Sequence, residues 1–280
     1  MIAKKSKAIV KRKKAKKVFS SDELLPKKEF LARFKIKKED FVKTGLIWVE
    51  LTKIYKDYLI LKPSLEHPAK ALVDILFTNN ARERGIHSVR FRIKDANSLI
   101  EKIIRKKILK PRREINIQNY RKEITDLIGI RALHVFKNEL YGIHHFIIEM
   151  FNLKKNEKPI HYHREGDDKE FIKLCKDFGC KQEVHEKGYR SVHYIVSTQL
   201  TKEIYYAEIQ IRTIFQEGWS EIDHKIRYSY KDSSASPFEN ELSILNNIAG
   251  NADDSGSNIK RLEQKEQERI LKPLIKRRKK

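Results

Sequence analysis

The stretch Tyr205-Tyr206-Ala207-Glu208-Ile209-Gln210-Ile211-Arg212-Thr213 constrains this chain more than any other. Ala207, Ile209 and Ile211 alternate with Tyr206, Glu208, Gln210 and Arg212, and a period of two requires a β-strand with one face on a core. The other face sets a carboxylate, an amide and a guanidinium in one row. Such a face has two readings. It is a solvated strand face, as antiparallel sheets often carry, or it is a site for phosphates and a divalent cation. In the second reading the acid serves as metal ligand or base, and the amide and guanidinium donate to oxygens.

Other segments fit around that strand. Val89-Arg90-Phe91-Arg92-Ile93-Lys94 also alternates and projects Arg90, Arg92 and Lys94 from one face. Asp95, Asn97 and Ser98 follow as capping residues, and then Ala96, Leu99, Ile100, Ile103, Ile104 and Ile108 form an apolar stripe at helical spacing. A cationic strand leading into a helix N-terminus presents fixed positive charge beside free backbone N–H groups, which suits a polyphosphate. An edge strand kept soluble by Arg and Lys reads the same way. A core strand entered from Asp126 is expected, its apolar residues continuing through Val135 and Phe136, with a helix after Asn138 whose inner face is Leu140, Ile143, Ile147 and Phe151. Residues 153–168 read as a long polar loop. Its His161, His163 and Asp167 match no metal-ligand spacing well. A short helix over 169–178 precedes Gly188-Tyr189, where the glycine permits a turn and the tyrosine is either core or a stacking surface. Val192, Tyr194 and Val196 then mark another strand.

Beyond the opening strand, a helix from Ile214 to about Tyr228 is expected to bury Phe215, Trp219, Ile222 and Ile226. One more, from Pro237 to about Ala249, is expected to bury Phe238, Leu242, Leu245 and Ile248. Lys260 to Lys280 reads as an exposed helix or a disordered tail. Upstream, residues 20–84 read as helices starting near Ser20–Glu23. The pattern of Ile47, Trp48, Leu51, Ile54, Tyr55 and Tyr58 is interrupted at Pro63 and Pro68 and resumes over 71–77. The domain reading is a basic disordered leader (1–19), a helical region (20–84), a central domain (85–235), and a C-terminal helix with a basic tail (236–280).

A chain of 280 residues with 40% hydrophobic content can bury a sizeable core. It has no apolar run long enough for a bilayer, no secretory signal, and only Cys175 and Cys180, so a reduced cytoplasmic location is expected. The net charge of +23 favours polyanionic partners such as nucleotides or RNA. Much of it lies in Lys4–Lys17 and Arg277–Lys280, runs that need do no more than solubilise.

Taken jointly, Arg92, Lys94, Ser98 and Lys102, the acid Asp126, Tyr189 with His193, and Glu208, Gln210 and Arg212 form one set. Two carboxylates on neighbouring strands can hold Mg²⁺ against a triphosphate. Here the sequence resembles the RelA/SpoT-type synthetase domain, small alarmone synthetases included. The resemblance rests on Arg92-Ile93-Lys94 with Ser98 and Lys102, Asp126-Leu127-Ile128-Gly129-Ile130-Arg131, Gly188-Tyr189-Arg190-Ser191-Val192-His193 and Glu208-Ile209-Gln210-Ile211-Arg212-Thr213, in the family's order over about residues 85–230.

The resemblance implies an α+β, nucleotidyltransferase-like fold: a mixed β-sheet flanked by helices, with helical N- and C-terminal extensions. It implies transfer of the β,γ-pyrophosphate of ATP to the 3′-hydroxyl of GDP or GTP, giving (p)ppGpp. Arg92, Lys94, Ser98, Lys102 and Arg131 would contact ATP. Asp126 and Glu208 would be the catalytic acids and Mg²⁺ ligands, with Glu208 also placed to activate the 3′-hydroxyl. Tyr189, His193, Gln210 and Lys187 would handle the acceptor. Where many members carry a phosphate-contacting Lys this chain has His185, with Lys187 two residues on. No hydrolase domain is expected before this region and no regulatory domain after it. The segment Glu217–Lys225 is similar to a branch that includes toxic members acting on the 3′ end of tRNA, so tRNA stands as an alternative acceptor. A homo-oligomer, or an antitoxin or other regulator, stands as an alternative partner. The other class of reading is a non-catalytic RNA- or partner-binding scaffold, against which the retained pair Asp126 and Glu208 argues.

Overall fold

The computed structural model describes residues 24–229 and 238–278. The basic leader, the expected helix start at Ser20–Glu23, the start at Pro237 and the final two lysines fall wholly or partly outside them.

Five helices come first: α1 (Lys27–Arg33), α2 (Lys38–Lys43), α3 (Trp48–Leu61), α4 (Glu66–Leu76) and α5 (Asn79–Glu83). The pattern expected to break at Pro68 does not break there. Pro68 is the third residue of α4, within the first turn, where a missing N–H costs no helical hydrogen bond. These helices share the core of the sheet domain. Tyr58 on α3, fully buried, donates its hydroxyl to the Lys94 carbonyl at 2.7 Å and so fixes the backbone of a predicted site residue.

The remaining elements are β1 (Ser88–Ile93), α6 (Ala96–Leu109), α7 (Tyr120–Glu123), β2 (Ile128–His134), α8 (Leu140–Met150), β3 (Ile160–His163), α9 (Lys169–Asp177), β4 (Lys181–Val184), β5 (Ser191–Thr198), β6 (Tyr205–Thr213), α10 (Ile214–Ser229) and α11 (Glu239–Arg278). The sheet order is β1-β2-β6-β5-β3-β4, with β2–β6 and β3–β4 parallel and the other pairs antiparallel. The fold is therefore α+β with a mixed sheet flanked by helices, as expected.

One face of the sheet is apolar. Ile128, Ile130 and Ala132, Ala207, Ile209 and Ile211, and Val192, Tyr194 and Val196 are all buried on it, with Leu99, Ile100, Ile103 and Ile104 of α6 and Leu140, Ile143 and Ile147 of α8 in the same core. By the period of two, every charged residue of the central strands is consigned to the opposite face.

Two strands went unread in the sequence. β3 lies inside the stretch expected to be a polar loop, and its inward residues are His161 and His163. A four-residue strand whose buried positions are histidines gives no hydrophobic alternation to detect. His161 binds Gln182 at 2.7 Å across the β3–β4 pair, and burial pushes its pKa down to about 4, so it stays neutral in the core. Asp167 is engaged by Arg190. Among the described residues no cluster of three His, Cys, Asp or Glu side chains is placed to hold a metal.

The last two helices also depart from the expected pattern. On α10 Trp219 is buried, but Phe215 and Ile222 are 41% and 45% exposed, while Gln216 and Glu217 are inside. α11 runs on to Arg278 instead of stopping near Ala249. It buries Leu242, Asn246, Ala249 and Asp253, whereas Ile248 faces out. Both inner faces differ from the hydrophobic pattern for one reason, polar partners: α10 turns Glu217 to the arginines of the sheet, and α11 turns Asn246 and Asp253 to the 188–190 loop and to Thr213 and Gln216.

Candidate active site

The site is the polar face of the sheet, and strand register sets its layout. Arg92 on β1 lies opposite Gly129 on β2, which lies opposite Glu208 on β6. The next row runs Arg90, Arg131, Gln210 and His193 across β1, β2, β6 and β5. Gly129 separates the Arg92 guanidinium from Glu208. A Cβ there would meet Arg92 Cγ and Nε at 3.3 Å, so the missing side chain gives Arg92 room to lie across the strand.

At the mouth of β2, Asp126 is 8% exposed and accepts from Lys94 at 2.8 Å and Lys102 at 2.7 Å, both on Oδ2. Burial opposes its charge, but Lys102 and Lys94 outweigh that and hold its pKa below the usual carboxylate range. Oδ1 is buried and has no hydrogen-bond partner among the described residues. A buried carboxylate oxygen left unsatisfied is costly, and it is a donor suited to a hard divalent cation. Mg²⁺ takes one or two carboxylates plus phosphate oxygens and water, so Asp126, with Glu208 nearby, fits it without a larger protein cage. Lys106, one turn beyond Lys102, donates to the Glu123 carbonyl at 2.6 Å; burial, with Arg113 and Lys102, lowers its pKa to about 8.

Glu208 sits between two groups. Burial opposes its ionisation, yet His193, Lys102 and the Gln210 amide together hold it well below the usual carboxylate range. A ring of side chains leads away from it and back. Gln210 donates to Glu208 at 2.5 Å, Arg212 donates to Gln210 at 2.6 Å, and Arg212 also donates to the Tyr189 hydroxyl. That hydroxyl meets His193 Nε2 at 2.9 Å, and His193 Nδ1 returns to within 3.6 Å of Glu208. Arg212 also stacks on the Tyr189 ring, 4.6 Å from its centroid. Tyr162, His185 and His193 pack around the same ring edge-on or tilted.

A sequence profile of the region found in RelA / SpoT proteins matches residues 91–233, half of the chain. The chain belongs to the RelA/SpoT family. Two curated proteins of Bacillus subtilis (strain 168) are similar to it. GTP pyrophosphokinase YwaC is 27% identical over 180 residues, covering 63% of this chain and 74% of that protein. GTP pyrophosphokinase YjbM is 26% identical over 179 residues, covering 62% and 72%. The crystal structure of the small alarmone synthetase 1 from Bacillus subtilis aligns with a TM-score of 0.48 at 20% identity, covering 72% of this chain and 97% of that one.

Within this RelA/SpoT chain the predicted residues do not all stand alike. Lys94, Lys102 and Asp126 converge, as do Tyr189, His193, Glu208, Gln210 and Arg212. Arg131 points instead at α10, where it binds Glu217 at 2.8 Å and Glu221, and Arg90 and Arg212 reach the same Glu217. The Ser98 hydroxyl donates to Asp95, the N-cap of α6, at 3.2 Å, so its position is set by the cap. Lys187 is exposed on the turn before Tyr189. Beside it, burial and then Lys187 lower the pKa of His185, so this imidazole brings no charge at neutral pH.

Sequence reasoning missed the residues behind the site. Glu217 is 5% exposed and gathers three arginines; the signal available was an acid four residues after a strand end, too common to single out. Half-buried Asp167 and Arg190 form a second cluster with buried Asn246 behind the Tyr189 loop, and no local pattern connects residues so far apart in sequence.

Proposed function

We propose that this chain transfers the β,γ-pyrophosphate of ATP to the 3′-hydroxyl of a guanosine nucleotide, GDP or GTP, to form (p)ppGpp. The observation that carries this reading is Asp126, paired with Lys94 and Lys102 through one oxygen and open at the other, on the same polar face as Glu208. Membership in the RelA/SpoT family and the names of the two Bacillus subtilis relatives support it.

The residues divide the work. Lys94, Lys102 and the exposed Arg92 neutralise the triphosphate of ATP. Asp126 and Glu208 would hold Mg²⁺, which when bound would offset the charge on the phosphates and hold the transferred group in place. Tyr189 offers the ring face away from Arg212 to a guanine base, with His193 and Lys187 beside it. Glu208 faces Lys102 on one side and His193 on the other, so the two substrates meet at its carboxylate. Because Glu208 is held firmly ionised, it is suited to accept a hydrogen bond from the 3′-hydroxyl and orient it; as a proton acceptor it is weak. Phosphoryl-type transfer depends chiefly on positioning and charge neutralisation, so orientation is the larger contribution. Family membership supports the Mg²⁺ requirement. The two cysteines, buried and unpaired, are compatible with a reducing cytoplasm. None of the described helices is long and apolar enough to cross a membrane.

The test is γ-labelled ATP with Mg²⁺, the protein, and GDP, GTP or bulk tRNA in separate reactions. Label on the guanosine nucleotide is expected. Label on tRNA alone, or on nothing in a folded protein, would overturn the reading.

A further inference from the structure

α11 docks through a stripe that alternates apolar Leu242 and Ala249 with polar Asn246 and Asp253, and one residue of that stripe reaches the loop that carries Tyr189. Asn246 is 2% exposed. Its Nδ2 donates to the Gly188 carbonyl at 2.9 Å, and its Oδ1 accepts from Arg190 Nη1 at 2.7 Å and, at 3.4 Å, from Arg164 Nη1. It therefore binds the residues on both sides of Tyr189 at once. Arg190 is fixed from its other side by two bonds of 2.7 Å to Asp167. Gly188 has φ +74°, which favours glycine, and a Cβ there would come within 2.9 Å of Asn246 Oδ1. Backbone conformation and the close approach of Asn246 thus require the same residue.

Beside the turn, Arg164 also binds Asn247; other attachments of α11 lie elsewhere. Trp219 donates to the Leu242 carbonyl at 2.9 Å. Thr213 and Gln216 donate to Asp253 Oδ2 at 2.9 and 2.8 Å, and the Lys137 N–H donates to Ser257 at 3.0 Å. Removing the Asn246 side chain leaves these in place, so its effect on the loop can be separated from docking of the helix.

We propose that Asn246 is a positioning residue for the acceptor: from α11 it holds the Gly188–Arg190 turn so that the Tyr189 ring is set for the acceptor base. This rests on the transfer reaction proposed above. It assigns acceptor affinity to a helix that contributes no residue to the sheet's polar face. Removing the two hydrogen bonds to the turn loosens it at Gly188 while Asp167 still holds Arg190, and the cost falls on binding of the nucleotide that stacks on Tyr189, leaving ATP binding untouched.

The experiment compares full-length wild type with Asn246→Ala and Asn246→Asp. The Asp variant keeps an acceptor for Arg190 but faces the Gly188 carbonyl with a second acceptor, so it loses the contact with the turn alone. At roughly a factor of five for each hydrogen bond lost to the turn, the KM for the guanosine nucleotide is expected to rise about fivefold for Asn246→Asp and about twenty-five-fold for Asn246→Ala. The KM for ATP should stay within about twofold, on the same principle that no ATP contact is lost. Amide hydrogen exchange should rise in residues 185–191 and stay unchanged along α11. An equal rise in both KM values, or exchange increasing along α11 with a matching fall in Tm, would show a docking role only and overturn the proposal. So would an Asp variant indistinguishable from wild type. If wild type labels no guanosine nucleotide, the reaction assigned above fails. The exchange result on 185–191 still decides whether Asn246 holds the turn.

Discussion

Asp126→Asn is the most informative perturbation of the site, because it separates the role of Asp126 in the fold from its role towards ligands. In the wild type Lys94 and Lys102, with side chains 13% and 30% exposed, share one Asp126 oxygen. The substitution leaves two neighbouring ammonium groups without the carboxylate they share, with only Glu208 near Lys102 as a remaining counter-charge. Breaking a fully buried ion pair costs about 3–5 kcal/mol. Lys102 is nearly a third exposed and can turn to water, so about 2 kcal/mol is the expected loss. For a chain of this size that lowers Tm by roughly 4–8 °C. The two lysines are then free for phosphate, whereas in the wild type ATP must compete with Asp126 for them. ATP without Mg²⁺ should therefore raise the Tm of Asp126→Asn more than that of wild type, since a ligand at about 100 times its Kd stabilises by roughly 2.7 kcal/mol. Pyrophosphate transfer should be abolished in the same protein. The assay is thermal unfolding with and without ATP, beside labelled-ATP turnover. A variant as stable as wild type, and no more responsive to ATP, would refute the view that Asp126 holds two cations in readiness for phosphate.

Other outcomes follow from single contacts. Glu208→Gln should keep a native circular dichroism spectrum, because a neutral acceptor for Gln210 remains, and lose at least about a hundredfold in kcat, the scale of one lost transition-state contact; full activity would sink the assignment. Gly129→Ala should raise the KM for ATP several-fold with little change in Tm, since the new Cβ meets only the flexible Arg92 side chain at 3.3 Å; an unchanged KM would remove Arg92 from the ATP site. Asp253 is 1% exposed, and burial raises its pKa, with the Gln216 and Thr213 hydrogen bonds opposing. A carboxyl whose pKa is raised in the fold gives stability that is fully present below its unfolded value of 3.8 and lost as pH rises through the folded value. Asp253→Asn removes that loss, so its Tm should equal or exceed wild type at pH 7 and converge with it, or fall below it, towards pH 4. A lower Tm at pH 7 would show that the charge itself is needed.

The sequence by itself determined the central strands and the substance of the site. β1, β2, β5 and β6 have apolar residues at every second position, so the chain had to turn Arg92, Glu208, Gln210, Arg212 and His193 to one side. Asp126 and Lys102 were legible because each sits at a fixed offset from such a strand or within a strongly periodic helix. Only the tertiary structure decided which of these residues meet. The order β1-β2-β6-β5 sets the rows Arg92–Gly129–Glu208 and Arg131–Gln210–His193, and strand order is not a local property. Arg131 was equally visible as a cation, yet α10 returns over the sheet and occupies it with Glu217 and Glu221. β3 and the inner face of α11 escaped notice for the same physical reason. Both bury His, Asn and Asp, whose burial is favourable only once distant partners such as Gln182, Arg190 and Gln216 are in place. Hydrophobic period reports burial against an apolar core. It is silent where polar groups on loops and neighbouring helices are what an element covers, as α11 covers the Gly188–Arg190 turn, Thr213 and Gln216.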